Sequence, residues 1–456
     1  MSEGSKSEWQ SLPEAVTERL DSTTSWKVRY WIPIALGLMM MGDSWDLTVA
    51  GFVMPSLRAE WGMSAGQVGM IFSAGFAGQM IGAILFGPLA ERFGRMPVFN
   101  IAIVVMSLLS IACGLVHDPL LFATLRFLQG VGFGGAAPVI ASYINEMAPT
   151  ASRGRYFSTF QFLMISGFSL CAIASALVIP TLGWRMMFFI GAFPVLLTPF
   201  VLWTLPESPR WLARMGRLEE TNRALVKLGA PPIEAGTVDL RPTAQPPRAP
   251  LRALFAPGIR MLTLCTCVLW FCTALVSKSF ATWTPTLYVD VFGLTVPQSL
   301  NIAAWIGVVY GCTPIVFAFI LDRVGRRPTG IAIASATLIT TLLLSFLGNN
   351  GAMLSIFLIG MCWVTSGSSF TLLWPYTAEV FPTHVRSTAL GMASAVARAA
   401  SSLTPLAVAG MLSFTGSVSG VFLALALSTL VVLLLWLFTT KEMARRSLDQ
   451  LDTATA

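Results

Sequence analysis

Two aspartates, Asp43 and Asp46, stand inside the first long apolar stretch of the chain, in Gly42-Asp43-Ser44-Trp45-Asp46. Their spacing puts both carboxylates on one helix face. The stretch runs from about Tyr30 to Pro55, roughly 39 Å as a helix, enough to cross a bilayer with some tilt. Asp43 falls halfway along it. A carboxylate at that depth costs several kcal/mol unless it is protonated, paired or wetted, so acids here point to proton handling. The plainer use is a polar contact between helices. Three cations stand at membrane depth in later stretches: Arg126, Lys278 and Arg398. Arg398 sits among small residues, Ala397-Arg398-Ala399-Ala400-Ser401-Ser402. Its planar fork matches a carboxylate, so anion binding is its expected role, with a structural pair to an acid of the first stretch as the alternative. Arg126 is either a charge near the outer mouth or the partner of Asp43 or Asp46. Lys278 either binds the carboxylate of an anion or pairs with an acid.

A planar ligand ring calls for aromatic partners. Trp45, between the two acids, is one candidate. Trp283 and the Trp374-Pro375-Tyr376 stretch are others, because Pro375 can open the backbone beside a site. Phe280, Tyr288, Trp305 and Tyr310 belong to the same group of intramembrane aromatics. Most membrane aromatics simply pack or mark the interface.

These residues need a membrane frame. Of 456 residues, 55% are hydrophobic and 11% charged, with a mean hydropathy of +0.72. So few charges cannot cover a soluble surface, and the chain reads as a polytopic, all-α membrane protein. Twelve spans are expected, at about 30–55, 66–89, 97–116, 119–145, 156–181, 184–205, 261–289, 299–321, 328–347, 352–377, 387–413 and 417–438. They form two six-helix bundles, 30–205 and 261–438, joined by a polar, Pro-rich linker, 206–260. The flanking tails are 1–29 and 439–456; the first has no signal-peptide pattern and holds a short amphipathic stretch around Leu12–Leu20. Among the 29 Lys and Arg, only Arg58 and Arg185 fall on the far side and three lie in the membrane. That bias places both tails and the linker in the cytoplasm. The net charge of +7 follows this topology and forms no exposed basic face, so no nucleic-acid partner is expected. The seven cysteines all lie in apolar spans and the two histidines at span ends, so neither a metal site nor a nucleophile–His constellation is expected, and no enzyme. Glycines such as Gly78, Gly82 and Gly130 to Gly135 read as close helix packing, not as a phosphate loop. No cofactor is expected.

The halves repeat. Leu89-Ala90-Glu91-Arg92-Phe93-Gly94-Arg95 returns as Leu321-Asp322-Arg323-Val324-Gly325-Arg326-Arg327. Glu146-Met147-Ala148-Pro149-Thr150-Ala151-Ser152-Arg153 returns as Glu379-Val380-Phe381-Pro382-Thr383-His384-Val385-Arg386. The offsets, 231 from Arg92 to Arg323 and 233 from Glu146 to Glu379, nearly agree, which signals duplication. Duplicated bundles imply alternating access around a site at their interface. Glu91, Arg92, Arg95, Glu146, Arg153, Asp322, Arg323, Arg326, Glu379 and Arg386 then read as a cytoplasmic gate of ion pairs that ties helix ends together when that mouth is shut. Solvated positive-inside charges are the simpler alternative.

At these doubled loops the chain resembles the major facilitator superfamily. Pro206-Glu207-Ser208-Pro209-Arg210-Trp211 is similar to the motif shared by sugar porters, organic ion transporters and their bacterial relatives. Asp43-Ser44-Trp45-Asp46 with Gly51-Phe52 and Pro55 resembles the first-span motif of the aromatic acid:proton symporters, with Ser44 and Trp45 as departures. The resemblance implies a monomeric symporter in a bacterial inner membrane that imports a benzoate- or hydroxybenzoate-like anion with a proton. Arg398 then matches the family's anion-binding arginine. Bacterial nicotinate carriers share a related first span. Other organic-ion carriers, sugar porters and a non-transporting sensor are the competing readings.

Overall fold

Inside a bilayer only helices or closed barrels satisfy the backbone, and long apolar runs of this composition fold as helices. The computed structural model describes residues 10–23, 25–149, 153–234, 236–241, 250–347, 351–382, 385–415 and 417–440. The first half consists of α2 (Ile32–Trp61), α3 (Ala65–Phe93), α4 (Arg95–Leu115), α5 (Pro119–Met147), α6 (Arg153–Leu182) and a sixth span made of α7 (Arg185–Gly191) and α8 (Pro194–Thr204). The second half consists of α11 (Arg260–Asp290), α12 (Val296–Val324), α13 (Arg326–Leu347), α14 (Ala352–Val380), α15 (Arg386–Thr415) and α16 (Val418–Phe438). Ten of these spans are apolar enough to cross a membrane by composition alone, and α2 and α12 complete the twelve. In α2 the polar stretch around Asp43 and Asp46 lowers the hydropathy of an otherwise apolar helix. Leu196, Phe346, Phe414 and Phe438 point outward with most of their surface open, as a lipid-facing surface requires.

The two halves pack alike. In the first, α2 lies on α6, α3 on α5, and α4 on the sixth span; in the second, α11 lies on α15, α12 on α14, and α13 on α16. Between halves, α3 meets α15, α6 meets α12 and α2 meets α11. Glycines bring α3 and α5 to backbone contact: a Cβ on Gly134 would stand 1.9 Å from the Gln79 carbonyl oxygen, and one on Gly78 2.0 Å from that of Phe127. At the end opposite the linker, one apolar core draws on both halves and includes Phe52, Val53, Phe280, Trp283, Tyr288 and Trp363.

Before the first span, α1 (Leu12–Ser22) carries a Ser11–Glu14 capping box and buries Leu12, Val16 and Leu20. The linker contributes α9 (Pro209–Arg214) and α10 (Leu218–Leu228). Leu225 and Leu228 of α10 join the same core as the α1 face. A two-residue parallel ladder fastens them, β1 (Gln10–Ser11) against β2 (Val238–Asp239). The start of the chain and part of the linker thus fold together beneath the first bundle. Residues 1–9, 242–249 and 441–456, and the side chains of Arg153 and Asp322, lie outside the described residues.

Candidate functional site

The two acids of α2 take different partners. Asp46 is 4% exposed, and Arg126 of α5 donates to its Oδ1 at 2.5 Å and to its backbone carbonyl at 3.2 Å. The same guanidinium donates to Gln129 Oε1 at 2.8 Å, one turn further along α5. Gln129 Nε2 donates in turn to the Met106 carbonyl at 3.5 Å. A buried ion pair needs such additional hydrogen bonds to offset desolvation. Arg126 is therefore engaged inside the first half. Of the roles open to it in the sequence, pairing with Asp46 is the one the geometry fits.

Asp43, one turn before Asp46, faces the other half. Its electrostatic neighbours are Arg398 on α15 and Lys278 on α11, besides Asp46. Arg398 and Lys278 also lie within electrostatic reach of each other. The first span, the seventh and the eleventh thus bring one carboxylate and two cations together where the bundles meet. None of the three forms an ion pair within 4 Å among the described residues. The Lys278 ammonium sits between two rings, 5.8 Å from the centroid of Phe76 on α3 and 5.9 Å from that of Phe370 on α14. Both distances permit cation–π attraction. Lys278, Phe76, Phe370, Tyr310 and Thr282 line a cavity of about 40 Å³. A larger cavity, about 590 Å³, begins at Arg398 and Ser394 and runs between α3, α5 and α15 to Glu91 at the linker end.

The far end is closed. Arg58, near the end of α2, pairs with Asp290, the last residue of α11, across the two halves. Phe52 meets Trp363 with centroids 6.3 Å apart, and Phe72 meets Trp283 at 6.1 Å, also across halves. Beside this seam, Arg185 and the Trp184 indole both donate to Glu60, at 2.7 Å each. The site therefore opens toward the linker and is sealed from the opposite side.

Of the aromatics expected at the site, Tyr310 lines the small cavity beside Lys278, and Trp45, Trp283, Trp374 and Tyr376 lie elsewhere. Trp45 donates its indole N–H to the Met187 carbonyl at 3.1 Å and presses on Gly191, so it packs within the first half. Trp283 belongs to the far-end core. Trp374 is 47% exposed and stands edge-on to Trp270 at 5.1 Å. Tyr376 is buried against Trp436 at 5.0 Å. None of the four lines either cavity. The rings that line the small cavity are Phe76, Phe168, Tyr310, Trp363 and Phe370; the two beside Lys278, Phe76 and Phe370, are ordinary phenylalanines in apolar spans, and nothing in their spacing marks them. Gln129 carries a readable sign: a polar residue one turn from an intramembrane arginine.

At the linker end, Arg95 is 2% exposed. It donates to the Ala90 carbonyl at 2.8 Å, Glu91 at 2.9 Å and Glu146 at 3.1 Å. Glu146 also pairs with Arg214 of α9, and the Trp211 indole donates to the Glu91 carbonyl at 3.1 Å. In the second half, Arg326 donates to Glu379 at 2.9 Å. Each of these pairs joins groups of one half, or of the first half and the linker. Glu146 and Glu379 thus each hold a cation through one carboxylate oxygen, and the other oxygen of each is buried without a hydrogen bond among the described residues. Arg92 lies over the Phe93 ring at 5.2 Å, and Arg323 is exposed. Arg386 starts α15 on the same side as Glu379. Glu207 of the linker accepts from the backbone N–H of Met96 at 3.1 Å and of Ser208 at 2.7 Å. Its carboxylate sits over Gly94, whose φ is +102°. Burial raises the Glu207 pKa above its ordinary 4.5, partly offset by those hydrogen bonds.

The chain matches the "Sugar (and other) transporter" family model over residues 20–454. It is 28% identical to the niacin transporter NiaP of Acinetobacter baylyi over 96% of this chain and 99% of that one. It is 32% identical to the gallate transporter of Pseudomonas putida over 85% and 86%, and 26% identical to the benzoate transport protein of Acinetobacter baylyi over 87% and 86%. In fold it is similar to the D-xylose-proton symporter, with a TM-score of 0.71 at 20% identity over 90% of this chain and 98% of that one. The inward-open xylose transporter XylE of Escherichia coli superposes equally well, with a TM-score of 0.71 at 21% identity over 93% and 99%. An integral membrane protein of twelve helices in two similar halves, with a charged cavity between them, this chain belongs to the sugar (and other) transporter family of the major facilitator superfamily.

Proposed function

We propose that the protein is a proton-coupled symporter that imports a small aromatic monocarboxylate by alternating access. The observation that carries this reading is the meeting of Asp43 with Lys278 and Arg398 between the halves, beside two phenyl rings. An anion entering there competes with Asp43 for the same two cations. At about 6 Å and an effective dielectric near 20, one such attraction is worth about 3 kcal/mol, roughly a hundredfold in occupancy. When the substrate carboxylate takes the cations, Asp43 loses its partners and takes a proton instead. Proton and anion then load together, and neither carries net charge alone into the occluded site. Asp46, held by Arg126, keeps α2 and α5 in register and stands outside the coupling step.

The relatives named as transporters of niacin, gallate and benzoate support the substrate class, since each ligand is a planar ring with a carboxylate. The basic bias of the loops supports a cytoplasmic linker and tails, in a bacterial inner membrane. On that orientation 30–205 and 261–438 are the rocking halves of a monomer and the open mouth faces inward. The paired loops at Glu91, Arg95, Glu146, Arg326 and Glu379 approach one another when that mouth shuts, while Arg58 and Asp290 part.

Niacin import is the second reading, favoured by NiaP, which this chain matches almost end to end. Purified protein in liposomes decides: an inward proton gradient should accumulate labelled gallate, benzoate or nicotinate and leave xylose outside. Accumulation of xylose, or anion uptake indifferent to the gradient, overturns the proposal.

A further inference from the structure

At the linker end, four aromatic rings run in a row along the outside of the first bundle. Trp26 meets Trp31 with centroids 6.2 Å apart, Trp31 meets Phe200 at 5.1 Å, and Phe200 meets Trp203 at 6.2 Å. Trp203 is 75% exposed and Trp26 60%, and Tyr30 and Leu202 are also open. Tryptophan and tyrosine settle where bilayer headgroups begin, ring in the apolar part and N–H or O–H in the wet part. This row therefore marks the level of lipid phosphates.

Two lysines converge at that level. Lys27, in the single π turn Lys27–Trp31 that enters α2, donates to the Lys227 carbonyl in the last turn of α10 at 3.2 Å. Lys227 donates to the Leu202 carbonyl in the last turn of α8 at 3.3 Å. Each ammonium keeps two further donors. Neither forms an ion pair among the described residues, and the nearby α10 acids are engaged: Glu219 by Arg223 at 3.4 Å and Glu220 by Arg217 at 3.7 Å. Exposed Arg29 adds a third positive charge two residues from Lys27. Like charges held together repel, and an anion between them converts that repulsion to attraction. A membrane phosphodiester offers the charge at the right depth and brings acyl chains that match the exposed rings.

We propose that Lys27 and Lys227 bind the phosphate of an anionic phospholipid whose chains lie along the Trp31–Phe200–Trp203 face. The lipid would clamp the linker helix α10 to the ends of α8 and α2, fixing the folded linker to the moving bundle. This site is remote from the central cavity, so it stands apart from the transport proposal.

Native mass spectrometry of the full chain, offered phosphatidylglycerol and phosphatidylcholine together, tests it. The wild type should retain phosphatidylglycerol, and K27Q/K227Q should lose about 25-fold in that preference, about fivefold per ammonium. K27R/K227R should keep it, and excess inorganic phosphate should fail to displace it. Equal retention by wild type and K27Q/K227Q overturns the site, and displacement by inorganic phosphate overturns its assignment to a lipid. Hydrogen exchange on the wild type alone gives a second measure. Segments 25–31 and 223–229 should exchange more slowly in phosphatidylglycerol nanodiscs than in phosphatidylcholine; equal rates there overturn the proposal.

Discussion

Arg126 holds Asp46 by both its carboxylate and its backbone carbonyl, at 2.5 and 3.2 Å. Asp43, one turn away on the same helix, is left to face the cations of the opposite half. Two acids that look equivalent in the chain thus have different partners, and their substitutions should separate. Asp46→Asn strands a buried guanidinium, which costs about 3–5 kcal/mol, and should show as a lower melting temperature. Asp43→Asn should fold normally, lose proton-driven accumulation, and keep exchange of labelled for unlabelled substrate across the membrane. Gradient-driven accumulation by Asp43→Asn would return the proton to Asp46.

The cations should differ from each other as well. Arg398→Ala should weaken substrate affinity about a hundredfold, from the loss of one central attraction. Arg398→Lys keeps charge but not the planar fork, and should recover only part of it. Lys278→Met should weaken affinity and also change preference among ring substituents, because Phe76 and Phe370 flank the ammonium. Binding measured by calorimetry checks all three. An unchanged affinity in Arg398→Ala would move the anion site away from α15.

The membrane frame is legible in the chain because a bilayer leaves little choice: apolar runs of this length become helices. The duplicated loops, at nearly one offset, are visible for the same kind of reason. What cannot be read is which side of a helix looks inward. Trp45 lies between two acids in sequence, yet successive residues on a helix point about 100° apart, and Trp45 turns to Met187 while Asp43 turns to Arg398. Phe76 and Phe370 become ring partners only through packing of α3 and α14 around α11. The folded linker is hidden similarly, since Leu12 and Leu225 share one core although far apart in the chain.

At the far end the Arg58–Asp290 pair is the charged contact that should open when the carrier faces outward. Both side chains are about a third exposed, so the pair is worth roughly 1 kcal/mol or less. Asp290→Asn should then shift the population toward outward-open by no more than about fivefold. Cysteines placed beside the seam should label faster from that side. The exchange R58D/D290R should restore the slow labelling, and failure of the exchange together with normal labelling in Asp290→Asn would leave the seam to its aromatic contacts alone.

Gly94 offers a test of how the linker is attached. Its φ of +102° disfavours any side chain, and an added Cβ would lie 2.3 Å from Glu207 Oε2. Gly94→Ala should therefore destabilise by about 1–3 kcal/mol. Glu207→Ala in the same chain should remove the clash but not the backbone strain, so only part of the loss should return. The same carboxylate gives stability a pH dependence. Because its folded pKa is raised by burial above 4.5, its contribution is fully present below that value and is lost as pH rises through the folded pKa. Glu207→Gln stays neutral and should flatten the fall in melting temperature above pH 4.5. A melting profile that keeps its slope in Glu207→Gln would assign the pH dependence to another group.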